Sequence, residues 1–223
     1  MNVESPNQTV VLNEQAREPV AQLCANIYLT GAGRGPAILA VASADHGEGR
    51  SSLALALGLQ IMSSLGSPAL VVEANLRSPG LGRPMNLPPN IPGLASLLKN
   101  GADPKEAIYK LGPNAPDVIP AGKAEPDEIG KLMNLEKMDK LFKTLAQRYP
   151  YLVIETPPIN YYPETKLIIT LADGVILTVK AGVTSRETAM LATRKIESIN
   201  GKFLGVVLNQ KRFHLPEWLY KRL

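Results

Sequence analysis

Residues 44 to 52 read Ala44-Asp45-His46-Gly47-Glu48-Gly49-Arg50-Ser51-Ser52, and these residue types at this spacing suit the holding of phosphate. Glycines at 47 and 49 let successive backbone N–H groups turn inward toward phosphate oxygens. A helix beginning near Ser51 adds the positive end of its dipole, and the Ser51 hydroxyl suits a magnesium ion. Gly47, Glu48, Gly49, Arg50, Ser51 and Ser52 are therefore the expected phosphate contacts. Arg50 stands where such loops usually carry lysine. Its guanidinium keeps the charge, but the fork is larger and planar, so it reaches between phosphates less easily than an ammonium. Ala44 replaces the first glycine of the usual spacing. Taken alone, the segment is equally well read as a Gly/Ser-rich turn with no ligand.

Acids at the ends of apolar runs point the same way. Leu70-Val71-Val72 runs into Glu73, with Asn75 two residues on, and Leu152-Val153-Ile154 runs into Glu155. A hard divalent cation needs oxygen ligands of this kind. A carboxylate beside bound phosphate is also placed to act as a general base toward a hydroxyl or water. Singly, each reads as an ordinary surface acid where a strand meets a loop.

These residues need elements to position them. Ala37 to Ala42 is a short apolar run followed by the glycine turn, and Ser51 to Ser64 has helical character, giving strand–loop–helix around the candidate loop. Further buried strands are predicted at 69–73, 117–120, 151–154, 174–179 and 203–208. Helices are predicted at 13–30, 93–99, 104–110, 185–200, and 125–149 with an interruption near Met133–Asn134. Asp103 is expected to cap the 104–110 helix, with Pro104 in its first turn, and the Pro/Gly-rich residues 76–93 are expected to be irregular. Strands alternating with helices imply an α/β fold, a mostly parallel central sheet with helices on both faces, in which ligands bind at the carboxyl ends of the strands.

The chain has 223 residues and a net charge of +4, enough for one domain and too mildly basic to require an anionic partner. Nucleic-acid binding is not expected, because no basic stretch is interleaved with aromatics. The single cysteine, Cys24, can form no internal disulfide and suits a reducing compartment. No basic start followed by an apolar run marks a leader, and no stretch approaches the ~20 apolar residues that span a bilayer. A cytoplasmic location is expected. The organisation read from the sequence is a polar arm at 1–13, a domain at 14–212 and a basic, aromatic tail at 213–223. The tail is expected to pack over a sheet edge, the other reading being an anionic membrane surface.

Several motifs in order then resemble a known family. GEGRSS at 47–52, VVEANLRSP at 71–79, PDVIPAGKAEPDE at 116–128, YLVIETPP at 151–158, ADGVILTVKAGVT at 172–184 and GVVLN at 205–209 resemble the bacterial tyrosine kinases of capsule and exopolysaccharide synthesis. These kinases belong to the P-loop superclass that includes the cell-division and chromosome-partition ATPases. The resemblance spans residues 14 to 212 and implies a three-layer P-loop domain that binds ATP or ADP with Mg2+. It also implies a membrane polysaccharide co-polymerase or activator as partner, and a place at the inner face of the plasma membrane through that partner. It assigns phosphate and metal contact to Arg50 and Ser51 and the role of base for a tyrosine hydroxyl to Glu73. Glu155 would order the metal water and Asn209 would hydrogen-bond adenine. Catalysis would then rest on Arg50, Glu73 and Glu155, and the metal on Ser51, Glu73, Asn75, Glu155 and Glu164.

The departures from the family pattern follow a trend. Lysine becomes arginine at 50, aspartate becomes glutamate at 73, 155 and 164, and aspartate becomes neutral Asn75. Charge largely survives, so nucleotide binding is expected to persist. An extra methylene moves a carboxylate by about 1 Å, and such a misplacement can cost ~100-fold in rate. The expected protein is a catalytically weakened nucleotide binder, a pseudokinase candidate. The alternatives are an active tyrosine autokinase, with Tyr220 accepting phosphate in trans, and a membrane-organising partition-type ATPase. Asp45 disfavours the last, since it stands where those ATPases carry an additional lysine. In the Glu-x-x-Arg-x-x-Arg pattern that serves ring assembly, Glu18 is kept, but Ala21 and Cys24 replace the arginines. Any homo-oligomer would thus use a degraded ring motif.

Overall fold

The structure, a computed structural model, describes residues 14–28, 35, 37–82, 85, 87–88 and 91–211. The expectations for the 1–13 arm and the 213–223 tail, Tyr220 included, lie outside the described residues. In chain order the elements are α1 (Glu14–Tyr28), β1 (Ile38–Ser43), α2 (Arg50–Leu65), β2 (Ala69–Glu73) and α3 (Leu94–Asn100). A 3-10 turn (Pro104–Glu106), β3 (Tyr109–Lys110), β4 (Asp117–Ile119), α4 (Ile129–Leu132) and α5 (Leu135–Ala146) come next. β5 (Tyr151–Glu155), α6 (Glu164–Leu171), β6 (Gly174–Lys180), α7 (Arg186–Glu197) and β7 (Phe203–Asn209) complete the described chain.

The strands form one sheet in the order β3-β4-β2-β5-β1-β6-β7. Every pairing is parallel except that of β3 with β4. The central strands are near-continuous apolar runs because both of their faces are covered. Alternate residues serve opposite layers: Ala40, Leu70, Val72, Leu152 and Ile154 join the cluster that holds α3 to α7. Leu39, Val41, Val71 and Val153 join the cluster under α1 and α2. Leu57 of α2 and Phe142 of α5 are essentially fully buried. Truncating either to alanine would cost about 2–5 kcal/mol.

Some local expectations need correction. Residues 104–110 form no α-helix: Asp103 does cap a 3-10 turn at Pro104–Glu106, accepting from the Lys105 amide at 2.9 Å, but Tyr109 then pairs antiparallel with Val118 at the sheet edge. The interruption expected near Met133–Asn134 is present: the 125–149 region divides into α4 and α5 there, because Asn134 accepts from the amides of Glu136 and Lys137 and restarts the helix. Helix α6 has no counterpart among the elements expected from the sequence. Its Leu167-Ile168-Ile169-Thr170 run has no clear helical period, and what fixes it is burial of Ile168 and Ile169 against the sheet.

Candidate functional site

The central strands bring the loop after β1 and the acids after β2 and β5 to one end of the sheet. Val41 pairs with Glu155, and Glu73 pairs with Glu155 from the other side. The loop after β1 enters α2 through Gly49, at φ +85° and ψ +27°, with no side-chain cap. Gly47 is also left-handed, at φ +72°. A side chain at 49 would be strained, and its Cβ would collide with Asn209 Nδ2.

Among the described residues, the backbone N–H groups of Gly47, Glu48, Gly49, Arg50, Ser51 and Ser52 find no protein acceptor. Helix starts normally leave such donors to a cap, water or a ligand. Here they form a row of oriented positive dipoles, the donor set an oxyanion requires.

The loop is braced from two sides. Asn209 Nδ2 donates to the Glu48 carbonyl at 3.0 Å, and Gln210 Nε2 donates to the Gly47 carbonyl at 3.1 Å. The Glu48 side chain is buried. It accepts from the Asp45 amide at 2.9 Å and from the Thr184 hydroxyl. Glu48 thus latches the loop to the segment after β6, and Asn209 latches it to the end of β7. Asn209 Oδ1 also accepts from the Gln210 amide at 2.8 Å. The amide assigned to adenine is therefore engaged in holding the phosphate loop.

Arg50 is buried, and its guanidinium donates to Ser43 Oγ at 2.8 Å. Its Nε lies 4.0 Å from Glu155 Oε1. Burial pushes the Arg50 pKa down, against the opposing pull of Glu155, Glu48 and Asp45. Ser51 Oγ donates to Glu155 Oε1 at 2.7 Å. Among the described residues, Glu155 Oε2 is buried without a partner. Burial, reinforced by neighbouring Glu73, pushes the Glu155 carboxyl up to about 7, with the Ser51 hydrogen bond and Arg50 opposing. A buried carboxylate oxygen without a donor, beside a serine hydroxyl, is the chemistry that a divalent cation satisfies.

The other expected ligands have different occupations. Glu73 Oε1 accepts from the amides of Gly80 and Leu81, and Oε2 accepts from the Ala121 amide at 2.9 Å. The carboxylate therefore clamps the loop after β2 to the loop after β4. Asn75 closes its own turn, donating to the Ser78 carbonyl at 2.7 Å and accepting from the Ser78 amide. Glu164 pairs with Arg77, and the Arg77 guanidinium lies 5.0 Å from the Tyr162 ring centroid. Of the five oxygen ligands expected, Ser51 and Glu155 stand together, whereas Glu73, Asn75 and Glu164 bind protein groups instead. Among the described residues, no group of three or more His, Cys, Asp or Glu side chains is arranged to hold a metal ion. Ser52 lies in the first turn of α2 and makes no side-chain hydrogen bond among the described residues.

Sequence reasoning missed Ser43, Thr184 and Gln210, which support the loop. Thr184 closes the motif at 172–184, and that position was its only signal. It also missed a group of rings at the mouth of the loop: His46, Tyr161 and Tyr162 lie with centroids 5.4 to 6.2 Å apart.

No family model matches the chain. The tyrosine-protein kinase CpsD of Streptococcus agalactiae serotype III (strain NEM316) is 30% identical over 173 residues, covering 78% of this chain and 74% of that one. The succinoglycan biosynthesis transport protein ExoP of Rhizobium meliloti (strain 1021) is 27% identical over 181 residues, which are 80% of this chain but 23% of that protein. Among solved structures, the chimerical protein CapA2B2 superposes with a TM-score of 0.80 at 26% identity, covering 88% of this chain and 85% of that one. Among the described residues, no helix is long and apolar enough to cross a membrane. The fold, the phosphate loop and the extent of the CpsD match together make the chain a member of the bacterial tyrosine kinase family.

Proposed function

We propose that this protein binds ATP or ADP with Mg2+ on the 47–52 loop and transfers phosphate slowly. It would serve capsule or exopolysaccharide synthesis or export beside a membrane polysaccharide co-polymerase, at the inner face of the plasma membrane. The row of unpaired N–H groups, the Ser51 hydroxyl and the Arg50 charge support binding. Ser51 and Glu155 are the residues that would hold the cation, whose charge would neutralise the phosphates. The Arg50 guanidinium would move from Ser43 onto a phosphate oxygen, exchanging a neutral hydrogen bond for a charge-assisted one.

One observation carries the slow-transfer reading: the Glu73 carboxylate accepts three backbone N–H bonds. Acting as a base would require it to leave an arrangement that holds two loops. Asn75 adds no charge, and Glu164 is neutralised by Arg77. The test is γ-phosphate release by the wild type beside Arg50→Lys and the combined Glu73→Asp, Asn75→Asp protein. Weak release in the wild type that rises about 10-fold or more in the variants supports the reading. Wild-type release equal to that of the CpsD relatives removes it and leaves the active autokinase.

A further inference from the structure

β5 pairs with β1, so the segment leaving β5 runs beside the phosphate loop. It carries Tyr161, whose ring centroid is 5.4 Å from that of His46 within the loop, and Tyr162. Tyr162 is held under Arg77, whose guanidinium is tied to Glu164. Tyr161 is 55% exposed. The other described tyrosines are placed differently. Tyr28 and Tyr149 are buried. Tyr151 opens β5 at the opposite end of the sheet and packs edge-on against Tyr28 at 5.3 Å. Tyr109 lies in the edge strand β3. Among the described tyrosines, Tyr161 alone is exposed and borders the loop. Asp45, the loop residue next to His46, raises the Tyr161 phenol above the ordinary range.

We infer that Tyr161 is a phosphate-acceptor site of this protein, receiving the γ-phosphate of ATP bound on its own 47–52 loop. This role rests on the nucleotide binding proposed for that loop. Tyr161 Oη would form a bond to the γ-phosphorus as the bond from that phosphorus to the bridging oxygen breaks. ADP departs with the bonding electrons, and the phenolic proton passes to the Asp45 carboxylate. Asp45 holds the phenol above its ordinary range, so the proton leaves as the new bond forms rather than beforehand. Phosphoryl transfer tolerates this order, because its loose transition state demands little charge on the nucleophile.

A resident acceptor also suits a slow site. Each chain needs a single transfer, and an acceptor tethered beside the donor avoids the encounter cost of a separate substrate. The product limits itself: a phosphate on Tyr161 places almost two negative charges next to Asp45 and the loop, which disfavours a second triphosphate.

The experiment incubates the full chain with Mg-ATP at two protein concentrations tenfold apart. Phosphopeptides are mapped by tandem mass spectrometry, with a parallel fluorescent-ATP titration. The expected result is phosphate on Tyr161, accumulating at a rate constant independent of protein concentration. The signal should be lost in Tyr161→Phe, kept in Tyr220→Phe and slowed about 100-fold in Asp45→Asn. Nucleotide binding without phosphate on Tyr161, or with phosphate on Tyr162 or Tyr220 instead, overturns the acceptor assignment and leaves the nucleotide site standing. A rate that scales with protein concentration overturns transfer within one chain. Absence of nucleotide binding removes both readings.

Discussion

Glu73 and Glu155 are direct partners across the parallel strands β2 and β5, yet their carboxylates serve different masters. Glu73 is saturated by three backbone amides, whereas Glu155 takes one hydroxyl and keeps one buried oxygen without a donor. The same residue type, side by side at two strand ends, thus becomes a structural clamp in one case and an available ligand in the other. The difference lies in the neighbouring segments. Residues 80 and 81 fold back over β2 and offer their amides to Glu73, while Ser51 of α2 faces Glu155.

Glu73→Gln tests the clamp. The amide nitrogen would face a backbone N–H with no acceptor, leaving at least one buried donor unpaired at a cost of about 1–3 kcal/mol. A fall of several degrees in Tm is expected, with faster hydrogen exchange at Gly80, Leu81 and Ala121. An unchanged Tm with unchanged exchange at these amides would show that the carboxylate is not anchoring the loops.

Glu155 gives a pH dependence of definite sign. Its carboxyl keeps a proton up to about pH 7 in the folded chain, against an ordinary value near 4.5. Between these values the folded state binds more protons, so this contribution is complete below pH 4.5 and lost as pH rises through 7. Its full swing is on the order of 3 kcal/mol. Wild type should therefore lose stability relative to Glu155→Gln between about pH 4.5 and 7.5 in urea denaturation. Magnesium-dependent nucleotide affinity should rise over the same window, as the carboxylate becomes free to bind the cation. Parallel stability profiles for the two proteins would contradict the assignment.

Gly49→Ala addresses the loop itself. The left-handed backbone costs about 1–2 kcal/mol for any other residue, and the new Cβ would displace the Asn209 amide from the Glu48 carbonyl. The expected outcome is at least a tenfold loss of nucleotide affinity with the fold retained by circular dichroism. Affinity equal to wild type would show that the bracing by Asn209 is dispensable.

Thr184→Val removes the hydroxyl that donates to buried Glu48. The carboxylate keeps only the Asp45 amide, at a cost of about 1–3 kcal/mol. Reduced Tm and weaker nucleotide binding are expected, recovered in part by Thr184→Ser. Failure of serine to recover either would argue against the latch.

The parts of this site legible in sequence were those written as local pattern. Gly47 and Gly49 between an apolar run and a helical stretch marked the loop, and Glu73 and Glu155 after apolar runs marked the strand ends. The alternation of strands and helices implied a parallel sheet, and with it the meeting of both acids beside the loop. Illegible were the partners chosen by loops that only tertiary packing positions. Nothing local to Glu73 says that Gly80, Leu81 and Ala121 will bring their amides to it. Nothing local to Asn209 says that it will reach a carbonyl 161 residues earlier. Tyr161 escaped notice for the same reason, since its nearness to His46 depends on the β1–β5 pairing and not on spacing along the chain.

Nucleotide binding on the 47–52 loop is tested most directly by titrating the purified full chain with a fluorescent ATP analogue, with and without magnesium, near neutral pH. Saturable one-to-one binding that strengthens with magnesium and weakens at least tenfold in Gly49→Ala is the predicted result. Absence of saturable binding at millimolar nucleotide, or binding indifferent to both magnesium and Gly49→Ala, would contradict it.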